Sequence, residues 1–305
     1  MDEMLAMHTR ELMPSLAAFE VVATTGHVTR GAALLDLPQS SISRRLHALE
    51  KTLGVTLFVP AGRRLVLTAA GRELLASIRG PLRAIDHALS AAVDDADPDA
   101  GLVRFGFPLS LGPNLIPKML AEFHDIAPRI RLVLRQAHGA ELVRCLREGE
   151  LDLAIVIPTP TGLPTAPLGT QRLSVHVPRD HRLARRKRIR LTDLADEDFI
   201  ANPSTYHLRQ ETLRWCAAAG FEPRVTVEVA DFETMRSMVA RGLGIAIMPQ
   251  SIDADAADDV VALELTGGDF TRSVGLAMSS STVSAAALRL QAHVRNRFPE
   301  IASAE

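Results

Sequence analysis

The sequence predicts a multidomain protein in which a small, mainly helical head, a linker helix and an α/β body follow one another along the chain. Within the first 68 residues, three helical patterns precede two strand-like runs that flank a glycine-containing turn. Apolar residues then recur every three or four positions between residues 75 and 92. From residue 102 onwards, strand-like and helical patterns alternate, which predicts an α/β construction with a parallel sheet.

The composition is that of a folded protein, since 47% of the 305 residues are hydrophobic and 23% are charged. Two cysteines, Cys145 and Cys216, are too few for a disulfide framework or a four-cysteine zinc site. We expect two buried thiols, and redox sensing is the alternative. The N-terminus has no apolar signal sequence, and prolines interrupt the longest uncharged stretch, 153–171. We therefore expect a cytoplasmic protein with no membrane partner.

Charge is distributed unevenly along the chain, although the net charge is only −2. Residues 39–72 contain six Lys or Arg and a single acidic residue, Glu50. Residues 94–305 contain 24 Lys or Arg against 28 Asp or Glu. A basic N-terminal segment joined to a mildly acidic body indicates a nucleic-acid reader with a second, attached function.

The head is predicted to contain three helices. The first begins at Ser15, after Pro14, and stops at Gly26. The second covers residues 29–35 and is ended by Asp36-Leu37-Pro38, because proline disfavours a helical residue before it. The third starts near Gln39, and its apolar face is formed by Ile42, Leu46, Leu49 and Leu53.

The opposite face of the third helix is polar and basic. It carries Ser40, Arg44, His47 and Lys51, flanked by Ser41 and Ser43. Two helices joined by a short turn, the second with small hydroxyl residues and an arginine near its start, have the helix-turn-helix geometry that enters a DNA major groove. The alternative is a solvated surface helix.

Residues 55–68 predict a two-stranded wing. Arg63 and Arg64 at its tip would contact a minor groove or phosphates, and the alternative is an ordinary hydrated hairpin tip. The full set of predicted DNA contacts is Thr29, Arg30, Gln39, Ser40, Ser41, Ser43, Arg44, His47, Arg63 and Arg64.

The head resembles the DNA-binding domain of LysR-type transcriptional regulators. The matching residues are Leu16, Phe19, Thr29, Ala32-Ala33, Leu35, Gln39-Ser40, Ile42-Ser43-Arg44, Leu49-Glu50, Leu53-Gly54, Leu57-Phe58, Arg63, Leu67-Thr68 and Gly71. Three positions depart from the family pattern: His27 replaces the usual serine before the second helix, Gly31 replaces a bulkier residue, and Pro60 replaces a frequent wing arginine. The resemblance implies a winged helix-turn-helix domain over residues 9–68 that binds double-stranded DNA.

The linker, residues 69–97, carries a coiled-coil seam of Leu75, Ile78, Leu82, Ile85, Leu89 and Ala92. Such a narrow apolar stripe predicts a homodimer, and the alternative is packing on the chain's own domain. Gly80-Pro81 is expected to bend or interrupt the helix without ending the seam. Family members also dimerise through a linker helix, and the resemblance implies a homotetramer assembled from two dimers.

The body is predicted to alternate strands and helices. Strands are expected at 102–107, 130–134, 151–157, 173–177, 199–200, 224–229, 245–248, 260–265 and 274–278, and helices near 113–126, 140–148, 207–219, 232–241 and 283–298. The resemblance implies an effector domain of the periplasmic-binding-protein-like type 2 fold. Lobe I would comprise residues 101–163 and 268–300, and lobe II residues 164–267.

Ligands of such sheets lie beyond the carboxyl ends of strands, where helices begin. By analogy with the family, the expected effector contacts are Ser110, His138, Asn202, Ser204, Thr205 and Phe232. Helix capping is the alternative for each hydroxyl. A small organic acid suits helix N-termini, a neutral aromatic ligand is the other option, and Asp231 would oppose an anion if it faced the cleft.

Neither the basic run in the body nor a search for enzyme motifs indicates a second function. The basic run 182–190 has no interleaved aromatic residue for base stacking, which favours a solvated loop over a second nucleic-acid site. The sequence contains no Gly-x-Ser-x-Gly, Gly-rich phosphate loop or His-Glu-x-x-His motif. We therefore expect an effector-controlled transcriptional regulator without enzymatic activity, metal or cofactor. The alternative is a standalone small-molecule-binding protein or an enzyme built on the α/β body.

Overall fold

The computed structural model describes residues 2–62, 64–94, 100–112, 115–249, 259–279 and 284–303. The chain divides into two compact units, Met1–Leu89 and Ser90–Glu305. None of the described helices is long and apolar enough to cross a membrane.

The N-terminal unit has the predicted order of elements. These are α1 (Asp2–Thr25), α2 (Val28–Leu34), α3 (Gln39–Leu53), β1 (Phe58–Ala61), β2 (Arg64–Leu67) and α4 (Ala69–Asp94). The predicted start of the first helix is wrong, because α1 continues through Pro14 to Asp2. A proline removes one backbone donor from a helix, and Leu12, upstream of it, packs against the core of the unit.

The core of this unit forms between the three helices and the hairpin. Ile42, Leu46 and Leu49 are buried as predicted, whereas Leu53 is 42% exposed because α3 ends there. A Cβ at Gly31 would lie 2.9 Å from Val22 Cγ2, so a larger residue here would have to displace the Val22 side chain where α2 packs on α1. The departure from the family pattern at this position therefore has a packing reason.

The linker helix α4 continues through Gly80 and Pro81. Leu75 and Ile78 pack against the core of the N-terminal unit. For these two residues the alternative, packing on the chain's own domain, therefore applies. Further along, Ile85 and Leu89 are 42% and 63% exposed. The seam thus has one half covered by its own unit and one half exposed in the single chain.

The C-terminal unit contains five helices and ten strands within its described residues. The helices are α5 (Leu115–Ile126), α6 (Gly139–Arg147), α7 (His207–Ala218), α8 (Phe232–Ala240) and α9 (Ala285–Ser303). The strands are β3 (Gly101–Pro108), β4 (Ile130–Ala137), β5 (Leu153–Val156), β6 (Thr165–Pro178), β7 (Arg188–Arg190), β8 (Asp198–Ala201), β9 (Arg224–Glu228), β10 (Ala246–Pro249), β11 (Val260–Thr266) and β12 (Thr271–Met278). Residue 113, the predicted start of α5, lies outside the described residues.

The main sheet has the order β4-β3-β5-β12-β6-β11-β7, and β10 also pairs with β6. Strand β3 is parallel to β4 and β5, but β12 is antiparallel to both β5 and β6. The prediction of a parallel sheet is therefore wrong for this part. The reason is that β6 and β12 carry the chain between two groups of strands and run in opposite directions.

Strand β6 connects the two lobes. Its residues 165–172 pair with β12, whereas residues 173–178 pair with β10 and β11. One hydrophobic core lies under α5 and α9, and a separate core lies around α7 and β11. Leu168, predicted for lobe II, lies in the first core, and Phe270, predicted for lobe I, lies in the second, so the boundaries at residues 164 and 268 stay predictions.

Two strands differ from the sequence prediction. Only 173–177 of β6 is predicted as a strand, because Pro167 and Gly169 interrupt the apolar pattern before it. Strand β7 lies within the basic run that is predicted to be a loop, where its central residue, Ile189, is buried opposite Leu265. A single apolar residue between arginines gives no strand pattern in the sequence.

Candidate nucleic-acid interface and ligand site

Helix α3 presents its polar face to solvent. Its opposite face is buried in the core, and the exposed face carries Gln39, Ser40, Arg44 and His47, with Ser41 and Ser43 half-buried at its margin. The structure therefore brings together all six residues predicted on this helix. An amphipathic helix whose accessible side carries hydroxyl, amide and guanidinium groups has the donors and acceptors that base edges and phosphates require.

Contacts on this face orient the side chains. Arg44 donates to Ser41 Oγ at 3.4 Å, and His47 Nδ1 lies 2.8 Å from the carbonyl oxygen of Ser43. The hydroxyl of Thr29, on α2, donates to Gln39 Oε1 at 3.2 Å. The predicted residues of α2 thus adjoin the start of α3, and Arg30 beside Thr29 is exposed.

The wing is held against α3 by Glu50, which in the sequence is only an isolated acidic residue. Glu50 Oε1 accepts hydrogen bonds from the backbone N–H groups of Leu57, at 2.8 Å, and Phe58, at 3.3 Å. Strand β2 is tied to the turn after α1 because Leu65 N donates to Gly26 O at 2.9 Å. These bonds fix the hairpin beside α3.

Of the two wing arginines, one lies among the residues that the structure describes. Arg64 begins β2 and is exposed, whereas Arg63 lies outside the described residues. Pro60 lies within β1, pairs with Leu65 and is exposed. His27 precedes α2 without capping it through its side chain, and the hydroxyl of Thr25 donates to the His27 carbonyl oxygen at 3.1 Å.

A cavity of about 400 Å³ in the C-terminal unit is lined by five of the six predicted effector residues. These five are Ser110, His138, Asn202, Thr205 and Phe232. Ser204 is exposed and does not line the cavity, and its carbonyl oxygen accepts a hydrogen bond from Gln210 Nε2 at 3.4 Å. The side chain of Ser204 is therefore not part of this site.

Some predicted residues also have a structural role. Asn202 Nδ2 donates to the carbonyl oxygens of Val229, at 3.1 Å, and Ala230, at 3.3 Å. Asp231 accepts from Thr234 N at 2.7 Å, which caps α8, and it is not among the lining residues. Asp231 therefore does not present a negative charge to the cavity.

An aromatic pair contributes to the wall. The ring centroids of His138, at the start of α6, and Tyr206, before α7, lie 4.9 Å apart at an interplanar angle of 36°. Tyr206 is not among the residues predicted for the site. A lone tyrosine beside a predicted helix start carries no signal that distinguishes it from a surface residue.

The sequence also gives no indication of Arg272, on β12. Its side chain lines the cavity although the residue is only 8% exposed, and it donates to Gln171 Oε1. Its Nε is buried without a hydrogen-bond partner. Burial lowers the pKa of Arg272 to about 10, so the guanidinium still carries its charge at pH 7.

His207 lies at the same cavity. Burial, followed by the positive charges of Arg272 and Arg214, lowers the pKa of His207 below its ordinary value. Its Nδ1 is buried without a partner, and its Nε2 is 3.4 Å from Glu211 Oε1. The ring is therefore uncharged at neutral pH and offers a polar atom at the site.

The features set aside from the sequence have structural explanations. Both cysteines are buried, and burial raises the pKa of the Cys145 thiol to about 11 and that of Cys216 to about 12. In the basic run, Arg182, Arg186 and Arg188 pair with Glu197, Asp193 and Glu264. Within the described part of the chain, no cluster of His, Cys, Asp or Glu is arranged to hold a metal ion.

A helix-turn-helix head followed by a long linker helix and a two-lobed α/β domain with a ligand-sized cavity defines a class of protein: the ligand-controlled DNA-binding regulator. Comparison with known families agrees. Residues 13–72 match the bacterial regulatory helix-turn-helix protein model of the LysR family, and residues 96–299 match the LysR substrate binding domain. The chain belongs to the LysR family of transcriptional regulators, which combine a DNA-binding head with an effector-binding domain.

Among curated relatives, the chain is 33% identical over 243 residues to the transcriptional dual regulator GltC of Bacillus subtilis, covering 79% of this chain and 81% of GltC. Among solved structures, a full-length single-substitution variant of OxyR from Pseudomonas aeruginosa superposes with a TM-score of 0.71 at 23% identity, covering 93% of this chain and 96% of OxyR. Full-length CbnR complexed with its target DNA gives a TM-score of 0.55 at 24% identity, covering 93% of this chain and 99% of CbnR. These two structures share the fold of this chain.

Proposed function

We propose that α3 reads a promoter sequence and that occupancy of the cavity by a small-molecule effector controls this binding. The observation that carries the proposal is the exposed polar face of α3, with Arg44 near its centre and the wing fixed beside it. The predicted DNA contacts of α2, α3 and the wing are proposed together as one interface. The solved complex of CbnR with its target DNA supports use of this fold on a duplex.

The contacts would divide by chemistry. Gln39, Ser40 and Arg44 have donors and acceptors suited to base edges, while Arg30 and Arg64 are exposed cations suited to phosphates. Loss of a base contact lowers the preference for one sequence, whereas loss of a phosphate contact weakens binding to all sequences and reduces the salt slope.

Fluorescence anisotropy with DNA from upstream of the protein's own coding sequence tests this interface. Arg44→Ala is expected to weaken specific binding by roughly 5- to 150-fold, because one good arginine–base contact contributes about 1–3 kcal/mol. The matched control is Arg185→Ala, which removes an exposed arginine from the basic run of the C-terminal unit. Equal affinities for wild type and Arg44→Ala across a salt series would contradict the proposed interface.

The effector is proposed to bind in the cavity lined by Ser110, His138, Asn202, Thr205 and Phe232. Residues of both lobes line this cavity, so a ligand there would favour one degree of lobe closure over another. Such a change would alter the spacing of the two DNA-reading heads of a dimer. We propose that the ligand is bound and not turned over, as befits a family of transcriptional regulators.

Dimerisation is proposed to use the exposed half of the α4 seam, with a dimer of dimers as the complete assembly. Ile85 and Leu89 are the exposed apolar residues that a second copy of α4 would cover. Sedimentation of Leu89→Asp should show a smaller assembly than wild type, whereas Ala76→Asp, on the opposite face of the helix, should not. An unchanged assembly in Leu89→Asp would exclude the seam as the interface. We further propose that the protein acts in the cytoplasm, where its DNA target lies.

A further inference from the structure

Arg272 is a buried cation without an acidic partner. The residue is 8% exposed, its one hydrogen bond goes to the neutral amide oxygen of Gln171, and its Nε has no partner. No ion pair joins it to any described Asp or Glu. Burying a charge is unfavourable unless it is paired, and proteins ordinarily place a carboxylate beside a buried guanidinium.

The cavity that Arg272 lines has a positive character. None of its described lining residues is Asp or Glu, and the basic ones are Arg147, Arg272, His138 and His207. The first residues of α6, α7 and α8 also line it; Asp231 already caps α8, which leaves the N-termini of α6 and α7 without a side-chain cap at this region. Helix N-termini favour negative charge, and they add to the effect of the unpaired guanidinium.

Apolar groups form much of the remaining wall. Leu109, Val143, Ile157 and Phe232 line the cavity together with the paired rings of His138 and Tyr206. A volume of about 400 Å³ holds a small organic molecule, and an inorganic anion would leave these apolar groups uncovered. The site therefore offers one charged anchor and an apolar surface.

We infer that the effector is a small organic carboxylate whose charged group pairs with Arg272 and whose apolar body lies against the ring pair. The inference rests on the proposed function, because it assigns a chemical class to the ligand of the same cavity. The planar guanidinium and its unpartnered Nε suit a carboxylate, which accepts two parallel N–H bonds.

Neighbouring contacts connect this anchor to both lobes. Arg272 and Gln171 are opposite one another in the pairing of β12 with β6, the two strands that carry the chain between lobes. Gln171 Nε2 in turn lies 3.5 Å from Ser110 Oγ, beyond the end of β3. A carboxylate bound to Arg272 would therefore act on the crossover strands themselves and on the first lobe through Ser110.

The test is ligand binding by the full-length protein. Thermal unfolding and calorimetry would be carried out with a panel of aromatic and aliphatic carboxylic acids, the primary amide of each acid, and inorganic phosphate, at up to about 10 mM. Arg272→Met removes the charge at similar volume, and Arg272→Lys keeps the charge but loses the planar fork. The matched control is Arg236→Met, a half-buried arginine of α8 that does not line the cavity.

The expected result is that at least one acid raises the unfolding temperature and its amide does not. Arg272→Met should weaken the binding of that acid by roughly 10- to 150-fold, the loss expected for a hydrogen bond to a charged group, and Arg272→Lys should weaken it by less. Arg236→Met should bind as wild type. Unfolding followed by the fluorescence of Trp215, in the same unit, verifies that each variant is folded.

Several outcomes would overturn the inference: binding of an acid and its amide with equal affinity, affinity unchanged by Arg272→Met, phosphate binding as tightly as any organic acid, or no binding by any acid of the panel. DNA binding is measured in parallel on the same variants without ligand. Sequence-selective DNA binding that persists while Arg272 proves irrelevant would refute the carboxylate and leave the proposed function standing. Loss of all sequence selectivity in wild type would instead refute the proposed function.

Discussion

Glu50 is predicted to be the residue that holds the wing in position, and its removal should destabilise only the N-terminal unit. Its Oε1 accepts from Leu57 N at 2.8 Å and from Phe58 N at 3.3 Å. A hydrogen bond to a charged acceptor contributes about 1.5–3 kcal/mol, and the longer of these two bonds should contribute less than the shorter. Allowing for the partial exposure of Glu50, Glu50→Ala should lower the free energy of unfolding by about 2–3 kcal/mol.

The single tryptophan makes the effect measurable within the full chain. Trp215 lies in the C-terminal unit, so its fluorescence reports unfolding of that unit, whereas far-ultraviolet circular dichroism reports both units. With urea slopes of about 1–3 kcal/mol per molar, Glu50→Ala should lower the midpoint of the head's part of the dichroism transition by about 0.7–3 M. The fluorescence transition should not move.

Glu50→Gln is the matched control, because its amide oxygen still accepts from both N–H groups without the charge. It should cost less than about 1 kcal/mol, since a neutral hydrogen bond replaces a charge-assisted one. Equal destabilisation by Ala and Gln, or a shift of the tryptophan transition as large as that of the head, would refute this account of the wing.

Three further predictions concern packing and titration. A Cβ at Gly71 would lie 2.3 Å from the carbonyl oxygen of Leu57, so Gly71→Ala should lower the stability of the head by about 1–3 kcal/mol in the same urea assay, and a neutral effect would contradict the packing. Burial lowers the pKa of His176 from 6.5 to about 3, so the folded protein binds fewer protons than the unfolded chain between these values. The free energy of unfolding should therefore fall as pH drops below 6.5, by up to about 1.4 kcal/mol per pH unit. Urea titrations at several pH values should show a weaker pH dependence of this free energy for His176→Gln, and an unchanged pH dependence would be the contrary result. Burial of Cys145 and Cys216 predicts little reaction with a disulfide reagent at about pH 8 until urea unfolds the chain, and rapid reaction of the native protein would disprove this.

The head is predictable because its signals are local. The apolar spacing of Ile42, Leu46 and Leu49 fixes which face of α3 is buried, and the remaining face is then the exposed one. The turn before α3 is marked by Pro38. The start of α1 is not predictable in this way, because a proline normally marks a helix start, and only packing of the upstream turn shows that this helix continues through it.

The α/β unit is predictable in its elements but not in its strand directions. Alternating strands and helices indicate an α/β domain, yet they do not show that β12 returns antiparallel between β5 and β6. That pairing also explains why the sequence does not reveal Arg272. Its burial and its contact with Gln171 follow from a register between residues about a hundred positions apart, and nothing near it in the sequence marks it as buried.

The ligand site is anticipated from strand ends and helix starts. This rule finds Ser110, His138 and Thr205, because each lies where a strand or loop meets a helix beginning at the cavity. It fails for Ser204, whose neighbours Thr205 and Tyr206 line the cavity instead. Neighbouring residues of a loop differ in side-chain direction, which is a property of the backbone path and not of the local composition.

Selection of genomic DNA fragments by the purified full-length protein, followed by sequencing, tests the central claim most directly. We expect enrichment of a small set of fragments that share two half-sites about one helical turn apart or a multiple of it, as a dimer of reading heads requires. The same selection with Arg44→Ala should lose this enrichment while Arg185→Ala keeps it. Recovery of fragments without any shared sequence by the wild-type protein would contradict the assignment of α3 as a promoter-reading helix.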